Sequence, residues 1–466
     1  MRRLLWFRRD LRVEDNPLLA LGGKVLPIFI FDTRILRPLQ PDDRRVSFIF
    51  SQVMRLKEEL RKRGLDLKIF FGDPLEIFAS LAKLGFDEVA ASGDYDTYAR
   101  ERDRQVSHLI SFRYLHDTYI FKPEEVVKPD GTPYLLFTPF YNRAKKLFTS
   151  EHMREYTAAE QQLFTTSYEG ITQLQSAKVR LLPLQITSIG FNANSPDTTA
   201  PGEKLKHLAG HLNRYAHDRD YPALEATSAL SADLRFGTIS IRAVLRFLAE
   251  QKKRGIETEP LFRQLVFRDF YASLLYHFPH LATENFRYPF KGVVDKAAYD
   301  AFTLAKTGVP IVDAGIRELL ETGKMHNRVR MVCASFFTKE LLLPWQWGEA
   351  FFARHLLDYD AASNILSWQW SAGTGVDPQP YFRIFNPYLQ AKKFDREARY
   401  IKHWLPELAN VEARLLHDEH FLQTNTLADY PQPIVERKKA LQRAKAYFAR
   451  ALGKDDESTD YGYERL

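Results

Sequence analysis

Over the first 130 residues, compact apolar runs alternate with amphipathic stretches. LLWF, KVLPIFIFD, LDLKIFF and DEVAASG are short and bounded, as buried strands are, and between them lie VSFIFSQVMRLKEELRKR and PLEIFASLAKLG. In the first of these longer stretches Val46, Ile49, Phe50, Val53, Leu56 and Leu60 recur at three- and four-residue intervals. That spacing predicts an amphipathic helix. The alternation predicts an α/β, Rossmann-like domain with a parallel sheet over residues 1–130. The pattern then fades, and 131–205, much of it rich in Thr, Ser, Asn, Pro and Gly, reads as a long interdomain loop. From 206 to 450, segments such as ISIRAVLRFLAEQKKRG, PLFRQLVFRDFYASLLYHF and VDAGIRELLETG have helical periodicity, which predicts an all-α second domain. Residues 451–466 lack an apolar face and read as a polar, fraying tail.

Composition narrows the class. With 466 residues, 45% hydrophobic and 13% aromatic, the chain has length for two domains and is not of disordered composition. A formal net charge of +7 permits a polyanionic partner without identifying one. The single cysteine, Cys333, excludes an internal disulfide framework and a cysteine-rich zinc site, and it suits a reducing cytoplasm. No metal is implied. Arginines interrupt the apolar runs of MRRLLWFRRDLR, and nowhere do eighteen apolar residues follow one another, so a cytoplasmic protein with no membrane partner is expected.

Several motifs invite chemistry. In TSALS, Thr227, Ser228 and Ser231 offer small hydroxyls and accessible backbone N–H groups before a helix, which suits either a diphosphate or a plain N-cap. Asn327 and Met331 lie four apart in MHNRVRM and share a helical face, with Arg328 beside it and Arg330 pointing elsewhere. DYDAASN leads into SWQWSAGTGVDPQPYFRIFNP, where two tryptophans, a Gly-rich turn and three prolines are too dense for an ordinary loop.

Four segments, in order, resemble the photolyase and cryptochrome flavoproteins: WFRRDLRVEDNPLL, RDYPALEATSALSADLRFG, GVPIVDAGIRELLETGKMHNRVRM and DYDAASNILSWQWSAGTGVDPQPYFRIFNP. The resemblance is closest to the class that repairs cyclobutane pyrimidine dimers. It implies a deoxyribodipyrimidine photolyase; the alternative is a cryptochrome-like blue-light photoreceptor with little repair activity, against which the lack of a long extension after about residue 450 counts. It further implies FAD in the helical domain, UV-damaged DNA as partner, and action as a monomer. Tyr215, Thr227, Ser228, Leu230 and Ser231 would hold the FAD phosphates, and Arg268 would also meet the cofactor. Arg330 would pair with Asp358 alongside the flavin, Asp360 would approach its polar edge, and Asn364 would face N5. Trp368 and Trp345 would relay electrons to the flavin. Gln264, Phe267, Asn327, Arg328 and Met331 would face the lesion, and Arg219, Arg328, Arg383 and Lys393 would line the DNA groove.

The sequence also departs from that family. Gln264 stands where dimer-repairing relatives have glutamate, and Phe267 where they have tryptophan, so slower or weaker repair is expected. Asn327 and Met331 replace the histidines of enzymes that repair (6-4) photoproducts, and His326 alone does not replace the pair. Phe290 occupies the outermost relay position, where a phenyl ring is too hard to oxidise; Tyr288 or Trp347 could substitute if the fold brings them close. Tyr98 and Ala99 stand where folate-binding relatives carry asparagine and glutamate, which leaves the antenna chromophore open among a deazaflavin, a flavin, a folate or none.

Overall fold

The apolar runs of the first 130 residues form β1 (Arg2–Phe7), β2 (Gly23–Asp32), β3 (Lys68–Gly72) and β4 (Glu88–Ser92), and SFRYL adds β5 (Ser111–Leu115). Neighbours in the order β5-β4-β1-β2-β3 are all parallel. From Val25 to Asp32 every residue of β2 is buried, because a parallel strand is covered on both faces. The helices α1 (Arg44–Arg61), α2 (Pro74–Ala82) and α3 (Thr97–Ser107) begin at Asp43, Asp73 and Asp96, whose carboxylates accept from backbone N–H groups of Arg45, Leu75 and Ala99. In α1, Val46, Val53, Leu56 and Leu60 are buried as their spacing predicts. Ile49 and Phe50 are only half-buried; Phe48 takes the inward place and packs on Phe236 at 5.4 Å.

The computed structural model describes residues 1–164, 179–181, 185–194, 199–427 and 429–453. The expected tail therefore lies, from residue 454, outside the described residues, as does part of the expected 131–205 loop. The described part of that loop holds more structure than its composition suggests. Helix α4 (Phe137–Leu147) buries Phe137, Phe140, Tyr141 and Ala144, a helical spacing within FTPFYNRAKKL. Two three-residue strands join the sheet: β6 (Gln161–Leu163) runs parallel to the start of β2, and β7 (Val179–Leu181) antiparallel to β3.

By its internal contacts the chain divides into two units, Met1–Asn213 with Ser228–Pro279, and Arg214–Thr227 with His280–Leu466. The sequence boundary at 205 differs from this one, since the short helix Ser231–Phe236, α5 (Ile241–Lys253) and α6 (Glu259–His277) belong with the first unit. The reason is specific. Leu11 N–H donates to Phe236 O at 3.1 Å, and Arg12 and Arg242 share the Asp117 carboxylate at 2.6 and 2.8 Å. Arg242 also pairs with Asp15 at 3.0 Å, and Arg246 with Asp15 at 2.9 Å. Gly237, at φ +65°, lies so close to Arg9 that a Cβ there would overlap the Arg9 carbonyl oxygen.

The second unit is built from helices and loops: α7 (Pro310–Thr322), α8 (Asn327–Ser335), α9 (Trp345–His355), α10 (Ala361–Ala372), α11 (Pro387–Phe394) and α12 (Arg437–Ala451). A π-helical turn, Phe336–Glu340, follows α8 directly. Within its core, Trp368 meets the edges of Phe337 and Phe352 at 5.4 and 5.0 Å. No helix among the described residues is long and apolar enough to cross a membrane.

Candidate active site

Helix α10 organises the second unit's chemistry. Asp360 caps it, its carboxylate accepting from the Ser363 N–H and hydroxyl at 3.1 Å each. One turn later, Asn364 donates through Nδ2 to the Glu349 carbonyl oxygen at 3.1 Å and to Glu349 Oε1 at 3.0 Å. Both amide hydrogens are thus committed, and Oδ1 is the atom that neither bond uses. A further turn places Trp368 in the core. Just upstream, Asp358 holds the guanidinium of Arg330 through both oxygens at 3.1 and 3.0 Å, and Arg330 Nε donates to Met325 O. Glu349 was not singled out by the sequence, because nothing local links it to a residue fifteen positions on. Burial raises its pKa, while the bonds from Asn364 and Tyr359 lower it.

Trp345 opens α9, is buried, and donates its indole N–H to Asn285 Oδ1 at 2.7 Å. Three residues on, Gly348 lies against the Trp368 ring, so a single small residue lets the two helices carrying the tryptophans approach. A glycine inside the helical pattern WQWGEAFF was the available signal for it.

On α8, Asn327 is exposed and its Nδ2 lies 3.8 Å from Met331 Sδ. Arg328 is not an open surface cation: it pairs with Asp220 at 3.0 Å and lies over the Phe394 ring at 4.3 Å. His326 caps α8 through Nδ1, and burial pushes its pKa down to about 4, so it is neutral near pH 7 and holds no proton for acid catalysis there. Arg219 lies over the Tyr215 ring at 5.6 Å, and Lys393 over Phe394 at 5.3 Å. Thr227 falls at the end of this unit's first segment. Arg383 is exposed, and its loop is held from below by Lys339 Nζ, which donates to Arg383 O at 2.8 Å and Pro380 O at 3.3 Å.

The other expected residues lie in the first unit. Helix Ser231–Phe236 has Leu230 at its N-cap position and no side-chain cap bond, so the plain capping role for its serines is not realised there. Gln264 and Phe267 are half-buried on one face of α6. Phe267 packs on Phe137 at 4.2 Å and on Tyr271 at 4.9 Å. Arg268 spends Nη1 on Thr118 O at 2.6 Å and Nη2 on Leu234 O at 3.0 Å, and its guanidinium covers the Tyr119 ring at 4.3 Å. Tyr98, in the region read for an antenna, donates its hydroxyl to Asp32 at 2.5 Å.

Beneath that face of α6 lies Asp269, fully buried, accepting from Phe121 N–H at 2.8 Å. Burial raises its pKa to about 7, against the lowering effect of that bond and of Arg268. A carboxyl group whose folded pKa is raised favours folding at low pH, and this contribution is lost as pH rises from about 4 through about 7. Asp269→Asn is therefore expected to flatten that slope and to add ~2 kcal/mol at pH 8. Urea unfolding between pH 5 and 8 measures it, and an unchanged slope would contradict the assignment.

Comparison with known proteins places this geometry. The family model of the FAD binding domain of DNA photolyase matches residues 261–450, and that of DNA photolyase matches residues 3–160. Deoxyribodipyrimidine photo-lyase of Halobacterium salinarum is 35% identical, over 97% of this chain and 99% of its own length. The chain belongs to the DNA photolyase family. The Escherichia coli deoxyribodipyrimidine photo-lyase is 34% identical over 97% of this chain and 99% of its own length. Among solved structures, a class III photolyase from Agrobacterium tumefaciens superposes with a TM-score of 0.84 at 32% identity, covering 97% of this chain and 98% of the other. An archaeal photolyase from Sulfolobus tokodaii, solved with two FAD molecules, superposes with a TM-score of 0.79 at 30% identity, covering 97% of this chain and all (100%) of the other. A Synechocystis cryptochrome shares the fold at 23% identity, with a TM-score of 0.82 over 96% of this chain and 99% of that one. The donor set of the second unit fits the cofactor of this photolyase family: a carboxamide oxygen, a capping carboxylate and a guanidinium–carboxylate pair follow one another along Arg330, Asp358, Asp360 and Asn364.

Proposed function

We propose that this chain is a light-driven DNA repair enzyme that splits cyclobutane pyrimidine dimers with FAD, acting as a monomer in a reducing cytoplasm. Bound, reduced and photoexcited FAD supplies the electron that opens the cyclobutane ring and receives it again afterwards. The observation that carries this reading is the Asn364 carboxamide. Glu349 takes both of its N–H donors, which leaves Oδ1 as an acceptor; with FAD bound, this oxygen would accept from the N5–H of the reduced flavin. Arg330, neutralised by Asp358, and Asp360 orient the ring system, while Tyr215, Thr227, Ser228, Leu230 and Ser231 hold the phosphates.

The lesion leaves the duplex stack, which costs less for a damaged pair than for an intact one. Gln264 donates its amide to the extruded pyrimidines and Phe267 offers them a stacking face; Asn327 and Met331 also meet the lesion. Arg219, Arg383 and Lys393 meet the phosphates, so binding weakens as salt rises. Trp368 and Trp345 refill an oxidised flavin with electrons.

The test is an oligonucleotide carrying one thymine dimer, incubated with the reduced protein in blue light and in darkness. Thymines are expected to reappear only in the light; no light-dependent repair at any protein excess would overturn the proposal. Gln264→Glu, with its carboxyl protonated and donating an O–H, is expected to repair about fivefold faster per photon, as a stronger hydrogen bond to the dimer radical anion contributes ~1 kcal/mol. An unchanged quantum yield would make the glutamine functionally neutral.

A further inference from the structure

We propose that Tyr288 is the exposed end of the electron path through Trp345, doing as a phenol what Phe290 cannot. This rests on the relay reading given above. The Trp345 indole N–H is bound to a carboxamide oxygen, that of Asn285, at 2.7 Å. An amide oxygen is too weak a base to take the proton of an oxidised indole. The vacancy on Trp345 therefore keeps its positive charge and its oxidising strength until it reaches a group that can release a proton.

Asn285 also says where that group lies. Its Nδ2 donates to the carbonyl oxygens of both Tyr288 and Phe290, at 3.0 Å each, so one side chain binds the indole and pins the loop that carries the phenol. Tyr288 adopts φ 52°, a left-handed conformation costly for a residue with a Cβ, and the bond from Asn285 to its carbonyl offsets that cost. Its ring stacks on Phe290 at 5.2 Å and 21°. Phe290 is buried, at 6% exposure, while Tyr288 is 40% exposed. Oxidation turns a phenol into a strong acid, and an exposed phenol has water to receive its proton. Two other phenols adjoin Phe290: Tyr381 at 5.6 Å, and Tyr447 at 6.3 Å, whose oxygen accepts from Gly292 N–H at 2.8 Å. Both are less exposed than Tyr288. The other donor suggested by the sequence, Trp347, packs edge-on against Tyr299 at 5.4 Å.

Light-excited flavin is the oxidant and gains one electron by way of Trp368 and Trp345. Tyr288 gives one electron to oxidised Trp345, restoring the neutral indole; the Tyr288 O–H bond breaks and its proton passes to water. A thiol from solution returns a hydrogen atom to the neutral tyrosyl radical. Asn285 acts here as a positioning residue.

The experiment is flash photolysis of the FAD-loaded, full-length protein, followed by transient absorption and by electron paramagnetic resonance of samples frozen under light. In the wild type a tyrosyl signal is expected to grow as the tryptophan radical decays. Tyr288→Phe, which keeps the stacked ring, should abolish the tyrosyl signal and lengthen the tryptophan radical's life at least tenfold, while Tyr381→Phe and Tyr447→Phe behave as wild type. Asn285→Ala should reduce the tyrosyl yield severalfold. A tyrosyl signal of wild-type yield in Tyr288→Phe overturns the proposal, as does its loss in Tyr381→Phe or Tyr447→Phe instead. Trp345→Phe separates the two readings: if it leaves photoreduction unchanged, the relay itself fails. If it abolishes photoreduction while Tyr288→Phe leaves the radical kinetics unaltered, only the assignment of Tyr288 fails.

Discussion

Gly348→Ala is expected to lower the unfolding free energy by ~3 kcal/mol, at the upper end of what overpacking costs. A Cβ at this position would overlap Cη2 and Cζ3 of Trp368 and lie 2.8 Å from Cζ2. Relief by rotating the indole is blocked, since Phe337 and Phe352 hold it edge-on at 5.4 and 5.0 Å. Helix α9 must therefore move away from α10, and Trp345, Gly348 and Glu349 all travel with it. Because Glu349 fixes the Asn364 amide, the same methyl group is expected to disturb the hydrogen bond proposed between Asn364 and flavin N5. Urea unfolding followed by tryptophan fluorescence measures the first effect, and the shape of the flavin absorption band the second. A variant with wild-type stability would show that the helices are free to separate at no cost.

Asp117→Ala is expected to cost the first unit ~4 kcal/mol, the loss typical when one partner of a buried ion cluster is removed. Arg12 and Arg242 both donate to this carboxylate, at 2.6 and 2.8 Å, and all three side chains are buried. Burial by itself would raise the Asp117 pKa, but the two guanidiniums outweigh it and hold the group below the usual carboxylate range. The stabilisation is therefore present above the unfolded-state pKa of about 4 and is lost as pH falls below it. Asp117→Asn keeps the shape and an acceptor oxygen and should lose less. Thermal unfolding of both variants at pH 7 and at about pH 3 checks this, with the gap between each variant and the wild type narrowing in acid.

The parallel sheet was legible because β1 to β4 are buried on both faces and so read as unbroken apolar runs. The fifth strand was missed because SFRYL has no buried residue, and its polar–apolar alternation is too brief to stand out. The family motifs nominated the candidate side chains, and hydrogen-bond geometry changed several readings. Asn364 is fixed as an acceptor by Glu349, and Arg328 is tied to Asp220 and Phe394, partners that no local spacing indicates. Arg268 gives its terminal nitrogens to the carbonyls of Thr118 and Leu234, which a motif cannot foresee because backbone acceptors carry no sequence signature. The division between units was hidden for a related reason. Periodicity showed that α5 and α6 are helices, but their assignment rests on charges such as Asp15 and Arg242, whose pairing is long-range.

That long-range pairing sets a timetable for synthesis. Arg12 donates to the Gly237 carbonyl across 225 residues of chain, and Arg242 reaches Asp15 across 227. At about 5–20 residues per second, the ribosome delivers the second partner roughly 10–50 seconds after the first. Until then the nascent sheet carries Arg12, Asp15 and Asp117 without the cations and carbonyls that complete their cluster. The first strands to leave the ribosome are therefore among the last to be locked, and the unit they begin closes only when its distant helices arrive.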